Sequence, residues 1–320
     1  MPTTTLVSEF ATDTLKGLAA PEKFLLPKYF YDETGSRIFQ KIMRMPEYYL
    51  TDSEREIFSD QSGKIAEIIA PEMGFFNLVE LGPGDGLKSK ILLQALLNKK
   101  SDFTYLPVDI SADALAGLVK ELDNEMPDLS IKEMSGDYFQ IMENLHQQNG
   151  SRKIILFLGS NIGNFFPNEL GEFLKTLSSI TVAGDLVLIG FDLKKSPSVL
   201  SKAYDDPHGF TTDFNLNHLV RINKELGADF NPGNFFHHAI YNPVSSAMES
   251  YLISKAEQEI YVEAFHRSIT FKAWESIFME MSRKFDKDEI DNLAGQFGFE
   301  TIQNFTDSKN YFTDSLWIRK

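Results

Sequence analysis

Between Phe75 and Leu97 the chain passes from an apolar run, through three glycines at alternate positions, into a helix-like run. The apolar run, Phe75 to Leu81, ends in Gly82, Gly84 and Gly86, and Leu87 to Leu97 follows at once. Glycine permits a sharp turn and lets the backbone approach a ligand that any Cβ would push away. A strand that feeds such a turn and then a helix is the first unit of a nucleotide-binding α/β sheet. The spacing narrows the ligand. Dinucleotide sites use G-x-G-x-x-G, and three residues beyond Gly84 this chain has Leu87.

What stands there instead, Glu80-x-Gly82-x-Gly84-x-Gly86, resembles the first motif of class I S-adenosylmethionine-dependent methyltransferases. Downstream, strand and helix patterns alternate as a parallel sheet requires. Phe103 to Val108 is a strand ending in Asp109, and Ser111 caps a helix to about Glu125. Leu129 to Glu133 is a third strand, ending near Gly136, and Lys153 to Leu158 a fourth, apolar throughout and so central. Glu169 to Ser178 is helical and Asp185 to Phe191 is a fifth strand. Glu300 to Phe305 and Ser315 to Ile318 form a terminal antiparallel hairpin. The expected fold class is α/β, a class I methyltransferase (Rossmann-like) sheet.

Some 70 residues precede this sheet, and nearly a hundred, Phe191 to about Phe285, break its alternation. The first part holds a turn at Asp32 to Gly35 before a short helix, and a capping box at Thr51-Asp-Ser-Glu54. The late part holds a polar helix, Asp213 to Leu226, then strand-like runs at Met248 to Ile253, Glu259 to Phe265 and Ile277 to Phe285. Together they predict a second, α+β, substrate-binding domain made of residues 1–57 and 195–284. The cofactor-binding domain then takes residues 58–194 and 285–320.

Composition removes several classes of function. With 46 acidic against 31 basic residues and a net charge of −15, the chain lacks the basic face that phosphate binding needs, so no nucleic-acid partner is expected. It has no cysteine, which excludes disulfides and cysteine-ligated zinc. His237 and His238 would point to opposite sides of a strand without flanking ligands, so no metal is expected. No apolar run reaches the roughly 18 residues of a membrane span. Met1-Pro-Thr-Thr-Thr lacks the pattern of a signal peptide, and the expectation is a cytoplasmic monomer.

In a doubly wound sheet the ligand sits beyond the carboxyl ends of the strands. There the sequence places the glycine turn, Asp109, Asp137 with Tyr138, Gly159 to Asn164, and Asp192. Asp109, roughly 20 residues past the glycines, suits ribose hydroxyls or the cap of the next helix. Lys88 lies in the first turn of the helix after the glycines, where a cation is unfavourable unless a ligand carboxylate or solvent receives it. Asp137 and Tyr138 suit an adenine amino group and ring, or an ordinary loop.

Phe157-Leu-Gly-Ser-Asn-Ile-Gly-Asn164, with Tyr31-Asp-x-x-Gly-Ser36, Pro46-Glu-Tyr-Tyr49, Ala203-Tyr-Asp-Asp206, Glu225-Leu-Gly-Ala-Asp-Phe230 and Glu280-Met-Ser-x-Lys-Phe285, resembles the histidine-specific methyltransferase family. These are the L-histidine Nα-methyltransferases of ergothioneine biosynthesis, and the resemblance runs from about Leu26 to Trp317. It implies a transfer of methyl groups from S-adenosylmethionine to the α-amino group of L-histidine, up to the trimethylated betaine hercynine, releasing S-adenosylhomocysteine. It also implies that Gly82, Gly84, Lys88, Asp109, Asp137 and Tyr138 contact the cofactor. Tyr48, Asn164 and Tyr204 would hold the amino-acid end, with Tyr31 and Asn164 at the amine. Glu280 and Ser282, with Met281 between them, would recognise the imidazole. Two apart in a strand, Glu280 and Ser282 face one side, and Ile277, Met279 and Met281 the other. Asn161 and Ser250 depart from the family pattern and bear on the side-chain pocket. The alternatives are the same reaction on another amino acid such as tryptophan, and a non-catalytic S-adenosylmethionine-binding protein.

Overall fold

Fully apolar strands need both faces covered, and here helices cover them. In this computed structural model, residues 3–70, 74–136, 141 and 151–320 are described, residues 3–8 as backbone only. The elements run α1 (Thr3–Leu18), β1 (Lys23–Phe24), α2 (Glu33–Ile42), α3 (Tyr49–Ile69), β2 (Phe76–Leu81), α4 (Leu87–Asn98), β3 (Phe103–Asp109) and α5 (Ala112–Glu125). Next come β4 (Met134–Ser135), β5 (Arg152–Phe157), α6 (Pro167–Ile180), β6 (Leu186–Asp192), α7 (Pro197–Tyr204), α8 (Phe210–Leu226), β7 (Phe235–Asn242) and β8 (Ala247–Ser254). β9 (Gln258–Val262), β10 (Arg267–Phe271), β11 (Ser276–Arg283), α9 (Lys287–Gln296), β12 (Phe299–Thr306) and β13 (Phe312–Arg319) complete the chain. Contacts divide it into two compact units, Met1–Tyr49 with Lys195–Arg283, and Leu50–Lys194 with Lys284–Lys320.

The second unit carries a seven-stranded sheet in the order β12-β13-β6-β5-β2-β3-β4. β6, β5, β2, β3 and β4 are parallel, and β13 joins antiparallel to both β6 and β12. It is an α/β, Rossmann-like sheet, with the glycine turn at the carboxyl end of strand β2. Its centre is apolar. Val79, Leu81, Ile155, Phe157, Val187 and Ile189 pack with Phe173, Leu174 and Leu177 of α6 in one buried cluster. Each such side chain stabilises the fold by about 1.5–3 kcal/mol. Two buried ion pairs pin the rim, Lys153 with Asp185 at 3.0 Å and Lys284 with Asp192 at 2.8 Å.

The first unit has its own core. A four-stranded sheet, β1-β11-β8-β7, and the β9-β10 ribbon pack with helical residues in a cluster that includes Phe10, Phe30, Phe214, Ile222, Phe235, Leu252 and Met279. The Asp32 side chain accepts the Gly35 N–H at 2.6 Å, so Asp32 is the N-cap of α2 and Gly35 lies inside the helix. Asn217 of α8 donates to the same carboxylate oxygen at 2.9 Å, tying the start of α2 to α8.

Several local expectations give way. α3 begins at Tyr49, so Thr51 and Glu54 sit within the helix and form no capping box there. Glu54 is 1% exposed, buried on the sheet side, where a capping residue would be solvated. Leu129 to Glu133 is not a strand: Ile131 makes one isolated bridge to Tyr105, and the pairing strand is Met134–Ser135. β9 stops at Val262 and a short 3-10 turn covers Glu263–Phe265. A bulge between Phe278 and Glu280 breaks the simple alternation of β11. Ile277 pairs with Leu252 and Glu280 with Ser250, two residues along β8, so Ile277 and Glu280 share a face. Asp137 and Tyr138 lie outside the described residues.

Candidate active site

In the sheet unit the glycine turn forms as its spacing requires. Gly82, Gly84 and Gly86 all have left-handed backbone, at φ of 67°, 59° and 67°. The Gly82 N–H donates to the Val108 carbonyl at 2.8 Å, closing the end of β2 against β3. A Cβ at Gly84 would meet nothing within 4 Å, whereas one at Gly86 would stand 2.5 Å from Leu118 Cδ1. The first glycines shape an open cradle, and Gly86 lets α5 pack close to the start of α4. Glu80 sits beneath them, accepting from Ser89 Oγ at 2.6 Å and Tyr105 Oη at 2.5 Å. Burial raises its carboxyl above the usual range, against the pull of those two donors. Its place in the motif is explained by this tie between β2, β3 and α4.

Around the turn stand three groups with different chemistry. Asp109 ends β3, half-buried, and accepts the Ser111 N–H at 2.9 Å. Burial raises its carboxyl, and the backbone donors at Ser111 and Ile110 only partly offset that. The helix that follows is capped by Ser111, whose Oγ accepts the Ala114 N–H at 3.2 Å, so Asp109 is not its cap. Lys88 pairs with Glu54 of α3. Burial alone would lower the ammonium, but the charge and hydrogen bond of Glu54 outweigh it and hold it above its usual range. The other Glu54 oxygen accepts the Gly159 N–H at 2.7 Å. After Gly159 the chain turns through Ser160, also left-handed at φ 60°, into the 3-10 turn Asn161–Asn164. Ser160 Oγ accepts the Asp192 N–H at 3.1 Å and Asn161 donates to the Leu158 carbonyl at 3.0 Å, so the start of the turn is fixed. Asp192, by contrast, is held in the ion pair with Lys284.

In the other unit, cross-strand register puts Ala239, Ser250 and Glu280 in one row and Tyr241, Met248 and Ser282 in the next. These rows share one face of the sheet. Tyr204, the last residue of α7, reaches this face, its hydroxyl donating to Ser282 Oγ at 2.8 Å. Asp206 stops α7 and caps α8 by accepting the N–H groups of His208, Phe210 and Thr211 at 3.0, 3.1 and 2.8 Å. His237 Nε2 lies 2.9 Å from the Tyr204 carbonyl, and because a carbonyl only accepts, that nitrogen carries the proton. Burial lowers the imidazole below its usual range, so it holds Tyr204 as a neutral ring. Tyr204, Glu280, Ser282 and Ser250 are thus brought together, whereas Met281, paired with Glu249, is buried on the opposite face of the sheet. Tyr31 and Tyr48 form a second group, both edge-on to the Phe39 ring, at 5.4 and 6.1 Å between centroids. Tyr31 is the more exposed, at 48%.

Sequence reasoning missed the roles of Glu54 and His237, and it placed Ser250 at the side-chain pocket, where the register sets it across from Glu280. Glu54 looked like a helix cap, and His237 like half of a histidine pair. No described group of His, Cys, Asp and Glu is arranged to hold a metal ion, and no described helix is long and apolar enough to cross a membrane.

Comparison with known proteins gives a consistent result. Residues 10–319 match the family model described as histidine-specific methyltransferase, SAM-dependent. The chain is 35% identical over 304 residues to a histidine N-alpha-methyltransferase of Mycobacterium tuberculosis, covering 95% of this chain and 93% of that one. It is 36% identical over 307 residues to the protein of that name from Mycolicibacterium smegmatis, covering 96% and 94%. Ergothioneine biosynthesis protein 1 of Schizosaccharomyces pombe is 28% identical over 282 residues, 86% of this chain but 36% of that longer protein.

Proposed function

The chain belongs to the histidine-specific, S-adenosylmethionine-dependent methyltransferases, and from this membership and the two clusters above we infer that it methylates the α-amino group of L-histidine. The product expected is the trimethylated betaine hercynine, the first step toward ergothioneine. The single observation that carries the reading is Tyr204, Glu280 and Ser282 converging on one sheet face, within a chain that also presents the Gly82–Gly86 cradle.

The residues present fit S-adenosylmethionine. A Cβ at Gly84 would enter open space, and Gly159 lies beside the Lys88 ammonium, which is 3.6 Å from where its Cβ would stand. Gly82 and Gly84 would cradle the amino-acid part of the cofactor, Lys88 would take its carboxylate and Asp109 its ribose hydroxyls. Asp137 and Tyr138 are assigned to the adenine from their place after Gly136. When bound, the cofactor supplies a methyl group already activated on a sulfonium.

What the protein adds is position and an unprotonated amine. Tyr31 and Asn164 would hold the substrate amine, and Tyr48 and Tyr204 the substrate carboxylate. Tyrosine faces also suit the quaternary ammonium that accumulates. At the ring end, Glu280 and Ser282 pair with the two imidazole nitrogens. An apolar amino acid offers that carboxylate no ring N–H, which is how such a site favours histidine. Residues 1–49 and 195–283 therefore choose the substrate, and the sheet unit holds the methyl donor. The reading also takes the protein to act as a cytoplasmic monomer on a free amino acid.

The test is incubation with methyl-labelled cofactor and the twenty amino acids one at a time. Label in histidine, at the α-nitrogen, is the expected result. Label in tryptophan instead would move the substrate while keeping the reaction, and no label in any of them would leave a cofactor-binding protein without this chemistry.

A further inference from the structure

Glu54 is anchored by Lys88 and by the Gly159 N–H, yet a second buried acid lies against it. Asp314, on β13, is fully buried, and neither of its oxygens receives an N–H or O–H from any described group. Its cross-strand neighbours are Gly190 on β6 and Phe305 on β12, which bring no charge. Gly190, directly across from Asp314, stands against Glu54 of α3, and the charges that act on Asp314 are those of Glu54 and of Lys88 from α4, with Glu80 of β2 acting on the same lysine. Gly190 is part of the arrangement. A Cβ there would stand 2.8 Å from Glu54 Oε1 and 3.0 Å from the Phe312 ring, so only glycine lets the glutamate reach across β6.

Two carboxylates and one ammonium in a buried space leave one negative charge too many, and two ionised carboxylates in contact cannot both persist. We propose that Asp314 carries a proton at neutral pH and donates it to Glu54, and that this acid pair is the positioning device for Lys88 and for the Gly159–Asn164 turn. The proposal rests on the methyltransferase reading for what Lys88 binds; the shared proton itself does not. With the proton in place the pair holds a single charge, which is matched by Lys88. A cofactor carboxylate then meets an ammonium whose position is set from below by Glu54. The same Glu54 carboxylate fixes the first residue of the turn that ends in Asn164. Asp314 touches neither ligand and acts only through Glu54. Burial, then the charge of Glu54, hold its carboxyl well above the usual range, against the weaker pull of Lys88.

The shared proton is tested in the ligand-free protein by comparing wild type with D314N. A carboxyl protonated only in the folded state makes folding weaken as pH rises, by about tenfold in the unfolding constant per pH unit. Between about pH 5 and pH 7 the ratio of wild-type to D314N unfolding constants is expected to climb at that rate, because every other group cancels. A ratio independent of pH overturns the shared proton. Should D314N fail to fold, infrared spectra of wild type with isotope-labelled aspartate decide the point. A protonated-carboxyl band at neutral pH is expected, and its absence overturns the proposal. Positioning is tested by calorimetry with S-adenosylhomocysteine, where D314L, which has no donor, is expected to bind about tenfold more weakly than D314N, whose amide still donates to Glu54. Equal affinities would overturn the positioning role. A wild-type protein that bound no S-adenosylhomocysteine would sink the cofactor reading, and the positioning role with it, while the unfolding ratio still decides the proton.

Discussion

His218 offers a prediction whose size follows from its surroundings. It lies in the middle of α8, 1% exposed, against the rings of Phe10, Tyr29 and Phe30 at centroid distances of 6.3, 6.4 and 5.3 Å. Neither ring nitrogen has a hydrogen-bond partner among the described residues. Burial, with a smaller push from Arg221, lowers the imidazole from 6.5 to about 3. The unfolded chain therefore takes up a proton below about pH 6.5 that the folded chain refuses. A depressed base gives stability that is present above the unfolded value and lost as pH falls. The loss is about 1.4 kcal/mol per pH unit, or about 2.7 kcal/mol between about pH 6.5 and pH 4.5. His218→Leu keeps similar bulk and removes the titration. The assay is hydrogen exchange of the α8 amides in both proteins at pH values across that window, which reports the unit that contains His218. The difference in opening free energy should grow in favour of the variant as pH falls. Parallel acid profiles would refute the account of His218 as a neutral histidine confined to the core. At neutral pH the variant should be no less stable, because leucine buries no unpaired nitrogen.

Two further substitutions probe the two clusters. Gly190→Ala drives a methyl against Glu54 and Phe312, and should lower stability by about 1–3 kcal/mol in urea unfolding, with weaker S-adenosylhomocysteine binding. Unaltered stability would mean that Glu54 has another place to go. Tyr204→Phe removes the donor to Ser282 inside a buried cluster and should raise KM for histidine about tenfold while cofactor affinity stays the same. A loss of cofactor affinity would place Tyr204 elsewhere in the reaction.

The sheet was legible because its signals are local. β5 from Ile154 to Phe157 and β6 from Leu186 to Phe191 carry no charged or polar side chain, as strands buried on both faces require. Three glycines spaced two apart cannot sit comfortably in a helix or a strand, so the turn at Gly82–Gly86 announced itself. The family resemblance was legible in short motifs spread along the chain. What escaped were features that depend on partners distant in sequence. Thr51 to Glu54 has the composition of a capping box, and only the packing of α3 against the sheet turns Glu54 inward to Lys88. The bulge in β11 leaves no mark in its own residues, yet it decides that Ile277 and Glu280 share a face. β4 is two residues long, too short for periodicity to separate it from the preceding loop. The role of His237 depends on a carbonyl 33 positions away.

The central claim is that Glu280 and Ser282 select histidine in a protein that also binds S-adenosylhomocysteine. Calorimetry with L-histidine, on wild type and on Glu280→Ala, each with and without S-adenosylhomocysteine, tests it most directly. The account predicts histidine binding to wild type, and a loss of about tenfold or more in Glu280→Ala with S-adenosylhomocysteine affinity intact. Wild-type protein that fails to bind histidine under either condition, or Glu280→Ala that binds it as well as wild type, would contradict it.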